Sequence, residues 1–211
     1  MDNILDDESL LDEKDLLKTI WTKPTPTLEF ILKNCSRKYV NYLLILGGVV
    51  NAVGRSYQRL TEHSNYSVIN FIVIVFFGGI IGWIISNIYA MLLSWTGKWL
   101  KGKADMDQFL TVLAWATIPF ICSLVPMILR LLIFGNDYFD FREQNIPIII
   151  IYSSLMLIQL SLSIWTLVIT IKGIALIQSF DSKKATLNAF MPLFVIMIPI
   201  LIIVGIIYLV H

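Results

Sequence analysis

The sequence predicts an all-α fold, a polytopic membrane bundle of five transmembrane helices with the N-terminus inside and the C-terminus outside. Two observations predict it: long stretches without a single charge, and a one-sided distribution of Lys and Arg on the segments between them. No Asp, Glu, Lys or Arg occurs in residues 64–97, 144–171 or 185–210. A helix needs roughly 20 apolar residues to cross the ~30 Å hydrocarbon core, and each stretch is longer. Over the whole chain 57% of residues are hydrophobic and 15% charged, whereas a soluble domain is about a quarter charged. Lipid replaces water over much of this surface.

Residues 1–38 read as a cytoplasmic tail with short amphipathic helices. Met1 to Leu17 carries seven carboxylates and lacks the basic start and apolar run of a cleaved signal peptide, so none is expected. Leu10, Leu11, Leu16, Leu17, Ile20 and Trp21 recur at roughly helical spacing. Pro24 and Pro26 stop that pattern, since proline cannot continue a helix interior. A second short helix is expected with Thr25 as cap and Pro26 in its first turn, running through Leu28, Ile31, Leu32 and Cys35.

The membrane domain, residues 39–211, reads as spans at 39–54, 68–95, 108–134, 146–171 and 187–210. The first is short, ~24 Å at 1.5 Å per residue, and Arg55 and Arg59 are expected to snorkel outward from its end. Charge bias supports counting it. With five spans, Lys33, Arg37, Lys38, Lys98, Lys101, Lys103, Lys172, Lys183 and Lys184 share one side, while Arg55, Arg59 and Arg142 lie on the other. That is the positive-inside pattern. Without the first crossing the bias vanishes. The second and third spans, and the fourth and fifth, form two hairpins with inner loops ending Lys103-Ala104 and Lys184-Ala185. The helix after each loop carries a proline pair, Pro119 and Pro126 or Pro192 and Pro199, and a kink is expected at each.

No catalytic, cofactor or metal site is legible. His63 and His211 have no Cys, Asp or Glu at ligand spacing, and Gly47-Gly48 and Gly78-Gly79 lack the Lys-Ser or Lys-Thr of a phosphate loop. Asp137, Asp140 and Glu143 read as a solvated outer loop with Arg142 as counter-charge. Cys35 and Cys122 are expected as free thiols. No pattern points to nucleic acid.

The informative residues lie inside the spans. Gly78, Gly82, Ser86 and Ala90 recur every four residues and form a ridge along which another helix can approach closely. Gly47, Gly48, Asn51 and Ala52 form a similar set on the first span. Such faces serve packing within the bundle or association with another membrane protein or a second copy. Gln159, Ser163, Thr166 and Thr170 form a polar stripe on the fourth span, at the depth of Asn87 on the second. A hydrogen-bonded seam between those helices is expected, with a wetted solute pathway as the alternative. Arg130, the one charge within a span, is expected to reach outer water or Asp137.

One further pattern joins these pieces. Lys23-Pro24-Thr25-Pro26-Thr27 precedes the first span. Gly78, Gly79 and Gly82 mark the second, followed by Trp95-Thr96-Gly97-Lys98-Trp99-Leu100-Lys101-Gly102-Lys103-Ala104. The third reads Ala114-Trp115-Ala116-Thr117-Ile118-Pro119. Over residues 22–210 the chain resembles the Yip family, the Ypt/Rab-interacting five-span membrane proteins, and its prokaryotic branch. The resemblance implies a five-helix fold in a bacterial inner membrane and a non-enzymatic role, organising or binding other membrane components and lipids. Eukaryotic relatives bind prenylated small GTPases, but an Asp-Leu-Tyr-Gly-Pro-like segment is missing before the first span, so small-GTPase binding is not carried over. The competing reading is a small transporter or lipid-handling protein with a polar cavity between the second and fourth spans.

Overall fold

Inside a bilayer every backbone N–H and C=O must find its partner within the chain, and an α-helix does this residue by residue. The computed structural model describes residues 13–35, 37–62, 68–134 and 145–210, and among these it is helical with no strand. A single 3₁₀ turn, Glu13–Asp15, leads into α1 (Leu16–Thr22) and α2 (Pro24–Asn34). There follow α3 (Val40–Glu62), α4 (Val68–Trp99), α5 (Met106–Ala116), α6 (Ile118–Cys122), α7 (Leu124–Phe134), α8 (Ile146–Gln178) and α9 (Ser182–Val210). His63, Asp137, Asp140, Arg142, Glu143 and His211, and Leu10 and Leu11, lie outside the described residues.

Four helical stretches are long and apolar enough to cross a membrane: Phe71–Trp99, Met106–Phe134, Ile146–Gln178 and Ser182–Tyr208. Helix α3 runs on well past residue 54, to Glu62, and its 23 residues span ~34 Å. Its length therefore matches the core, while Asn51, Arg55, Arg59 and Glu62 make it the most polar of the long helices.

The N-terminal segment is not a free tail where it is described. Leu16, Ile20, Leu28 and Ile31 are at most 1% exposed and join Phe109, Leu113, Ile169 and Ile174 in the hydrophobic core. Gly173 permits that approach, because a Cβ there would fall 2.3 Å from Val112 Cγ1 and 3.1 Å from Leu28 Cδ1. Helices α1 and α2 thus cap the ends of α5 and α8. Helix α2 begins at Pro24 rather than Pro26, with Lys23 before it and Thr27 Oγ1 donating to the Lys23 carbonyl at 2.7 Å. Pro24 itself suits the first helical position, where no N–H is needed.

The third apolar stretch is broken twice, at Thr117 and at Ser123. Each break precedes a proline, Pro119 or Pro126, whose missing N–H leaves a carbonyl of the preceding turn without its helical donor. The hydroxyls turn back into the helix there: Thr117 Oγ1 donates to Ala114 O and Ser123 Oγ to Phe120 O, both at 2.6 Å. Pro192 and Pro199, in contrast, sit inside uninterrupted α9, where Ala189, Phe190 and Met191 offer no hydroxyl just before Pro192. The chain is thus interrupted ahead of Pro119 and Pro126 and continuous through Pro192 and Pro199.

Burial is concentrated at one end of the bundle. Ala90, Leu93 and Thr96 close α4; Ala104, Phe109 and Val112 open α5; Ile169, Ile174 and Gln178 close α8; and Ala185, Asn188 and Ala189 open α9. The tight hairpins at this end share one device. Lys101 and Ser179 adopt left-handed conformations, with φ of 66° and 55°. Gly102 N then donates to Gly97 O at 2.9 Å and Phe180 N to Ala175 O at 3.0 Å, capping both helices. Away from this end α9 exposes Ile200, Leu201, Ile202, Ile206 and Ile207, a surface suited only to lipid.

Candidate functional site

The small-residue ridge of α4 meets α3. A Cβ on Gly82 would lie 2.2 Å from the Gly48 Cα, and one on Gly78 would lie 2.1 Å from the Ala52 Cβ. Gly48 in turn faces Gly78 O at 2.6 Å from its own notional Cβ. The two helices therefore touch backbone to backbone, and a side chain at any of these positions would force them apart. Trp83 Nε1 adds a bond across the same pair, donating to Asn41 Oδ1 at 3.0 Å. Ala90, the end of the row, is buried in the hydrophobic core instead. Ser86 returns its hydroxyl to Gly82 O at 2.8 Å.

Beside the touching glycines, α3 and α4 flank a cleft of about 480 Å³ lined also by Thr117 and Phe120 at the first break of the third stretch. Asn51, Arg55 and Ser86 supply polar atoms; Leu44, Ile74, Phe77, Ile81 and Ile85 supply apolar ones. The competing reading places a polar cavity between the second and fourth spans; this cleft lies between the first, second and third, where α4 packs its small face on α3.

The polar stripe of α8 does not form a seam with Asn87. Ser163 Oγ donates to Gln159 O at 3.0 Å, Thr166 Oγ1 to Leu162 O at 3.1 Å and Thr170 Oγ1 to Thr166 O at 2.9 Å. Asn87 Nδ2 likewise returns to Trp83 O at 2.8 Å. Hydroxyls in a helix can satisfy themselves on the carbonyl one turn back, so a Ser/Thr row needs no partner helix. Gln159 is the exception.

Its Oε1 accepts from Arg130 Nη2 at 2.7 Å. Arg130 is 6% exposed, also meets Met156 Sδ, and lies 5.7 Å from the Tyr152 ring centre. It therefore turns into the bundle toward α8 rather than out to water, because an amide oxygen and an aromatic face are available within reach. Asp137 lies outside the described residues.

A polar node that composition did not reveal closes the end of the bundle where burial is concentrated. Gln178 Oε1 accepts from Ala104 N at 3.0 Å, and Asn188 Nδ2 donates to Leu93 O at 3.2 Å and Thr96 Oγ1 at 2.9 Å. Gly97 and Gly102 make room: a Cβ would fall 2.2 Å from Gln178 Nε2 at the first and 2.0 Å from Gln178 Oε1 at the second. The signal was present, since Gln178 lies two four-residue steps beyond Thr170, on the same helical row as Thr166 and Thr170 with Ile174 between. Tyr89 reinforces the node by donating to Ala189 O at 2.8 Å.

At the surface of this end Glu13 pairs with Lys38 and Asp107 with Arg37. The Glu13 carboxylate holds the Lys38 ammonium above its ordinary 10.5. Among the described residues no group of three His, Cys, Asp or Glu side chains is placed to hold a metal ion.

One family model covers most of this all-helical bundle. The Yip1 domain model matches residues 18–204. The chain belongs to the Yip1 domain family. The match begins within α1, so Ile20, Leu28 and Ile31 of the cap fall inside the Yip1 domain. As a Yip1-domain protein with four long apolar helices, the chain is a membrane protein. No curated protein and no solved structure matches it.

Proposed function

We propose that this Yip1-domain protein is a non-enzymatic, five-span component of a bacterial inner membrane that binds or organises other membrane components through its helix faces and inner cap. The observation that carries this reading is the extent of the family match, residues 18–204, which treats cap and spans as one unit. Helix α3 supplies the fifth crossing: it has the length, and its close contact with α4 requires the two to lie side by side. With N-terminus in and C-terminus out, Lys98, Lys101, Lys172, Lys183 and Lys184 all face the inner leaflet, in keeping with the positive-inside rule.

Site-specific photocrosslinking in the native membrane tests the role. A crosslinker placed on the exposed inner surface, at Lys98 or Lys183, is expected to capture the same membrane protein reproducibly, and one at exposed Ile202 to capture lipid. Capture of nothing but lipid from every position would contradict an organising role.

A further inference from the structure

We propose that the cleft between α3, α4 and α6 binds one anionic phospholipid of the outer leaflet, with Arg55 holding its phosphate and the acyl region lying against Phe77, Ile81 and Ile85. The cleft holds about 480 Å³. Its side is open, since Phe77, Ile81 and Ile85 line it and are each more than half exposed.

The charge of its lining stands at one end. Arg55, with Asn51, is nearer the C-terminus of α3, and Leu44, Gly47, Ser86 and Thr117 lie toward the other. From Arg55 to Leu44 the helix rises ~16 Å, about half of the ~30 Å hydrocarbon core. The cleft therefore has the depth of one leaflet with a cation at its mouth. The Arg55 Nε donates to Asn51 Oδ1 at 2.9 Å. That bond fixes the near edge of the guanidinium and leaves its terminal nitrogens as the fork that matches a phosphate.

Charge complementarity decides the occupant. Apart from Asp107 near the start of Met106–Phe134, the four candidate spans hold no Asp or Glu, so none of these four from a second copy would bring a carboxylate to Arg55. A phospholipid brings its phosphate and its acyl chains together, and it is already at the right depth. The glycines at the floor of the cleft serve both structures: they let α3 and α4 touch at Gly48 and Gly82, and their missing side chains leave the space beside that contact open.

Native mass spectrometry of the full chain released from detergent tests this, using phosphatidylglycerol and phosphatidylcholine with identical acyl chains. Wild type is expected to retain one phosphatidylglycerol with about fivefold preference over phosphatidylcholine, the effect of roughly one basic side chain at an anionic headgroup. Arg55→Gln should abolish the preference, Arg55→Lys should keep most of it, and Lys98→Gln, at the opposite end, should leave it unchanged. Arg55 is exposed, so these variants should fold alike. Unchanged preference in Arg55→Gln would overturn the proposal, as would displacement of the lipid by an equal concentration of glycerol 3-phosphate, which would show that the apolar cleft contributes nothing.

Discussion

Gly48 on α3 and Gly82 on α4 are in backbone contact: a Cβ built on Gly82 falls 2.2 Å from the Gly48 Cα, and one built on Gly48 falls 2.8 Å from the Gly82 Cα. Lipid tails are as apolar as leucine, so helices in a bilayer associate through close packing and interhelical hydrogen bonds rather than by excluding water. This contact supplies that packing for the first two long helices.

Gly82→Leu should therefore overpack the interface and lower stability by ~1–3 kcal/mol. Ile80→Leu, at an exposed position on another face, is the comparison and should change little. Thermal unfolding in detergent, followed by circular dichroism, reads both. Equal melting temperatures would mean that α3 and α4 do not touch in the folded protein.

The Arg130–Gln159 pair joins the third apolar stretch to α8. Gln159→Leu should destabilise, and so should Arg130→Leu. The double variant should cost less than the sum of the two, because each deletes part of the same interaction. A coupling of ~0.6 kcal/mol, and no more than about 1.7, is the scale for polar contacts between membrane helices. Strict additivity in a double-mutant cycle would show that the two side chains act separately.

Gln178 and Asn188 hold the inner hairpin loops in register. Gln178→Leu removes the acceptor of the buried Ala104 N–H and should cost ~1–3 kcal/mol. Gly102→Ala should damage the same node from the other side, since its Cβ would meet Gln178 Oε1 at 2.0 Å. Combined with Gln178→Ala, which clears that space, Gly102→Ala should become less harmful. Thermal unfolding of the four proteins measures this, and an unchanged penalty would contradict the geometry.

The N-terminal cap is held by apolar contacts more than by its ion pairs. Leu28→Ala should lower stability by ~2–5 kcal/mol. Salt and moderate pH should have little effect, because the Glu13–Lys38 and Asp107–Arg37 pairs are exposed. The sign follows from the raised Lys38 value: its contribution is fully present below the ordinary 10.5 and is lost only as pH climbs above it. Proteolysis after Trp21, followed as a function of salt and pH, reports on docking. Release of the cap at physiological pH by moderate salt would show that charge, and not burial of Leu16 and Ile20, holds it.

Helicity and the apolar spans Phe71–Trp99, Ile146–Gln178 and Ser182–Tyr208 were legible because the bilayer imposes them: residues 64–97, 144–171 and 185–210 have no charge and so leave few alternatives. The glycine row of α4 was legible for a similar reason, since Gly, Ser and Ala at four-residue steps have one geometric consequence. What the row would touch was not written in its own pattern. The stripe of Ser163, Thr166 and Thr170 pointed to a seam that does not form, because a hydroxyl can be satisfied on its own helix and periodicity cannot distinguish the two cases. The partners of Arg130, Gln159 and Tyr152, were not legible, because sequence distance conceals them. The docking of Leu16, Ile20, Leu28 and Ile31 onto Phe109 and Ile174 is tertiary in the same sense.

Sidedness tests the central claim, that α3 crosses the membrane and the N-terminal cap lies inside. With Cys35 and Cys122 replaced, single cysteines are placed at Asn34, Ser64 and Ser182, and intact cells are treated with an impermeant thiol reagent. Labelling at position 64, with positions 34 and 182 protected until the membrane is opened, is the predicted result. Labelling of positions 34 and 64 alike in intact cells would remove the first crossing, and labelling of position 182 would reverse the bundle.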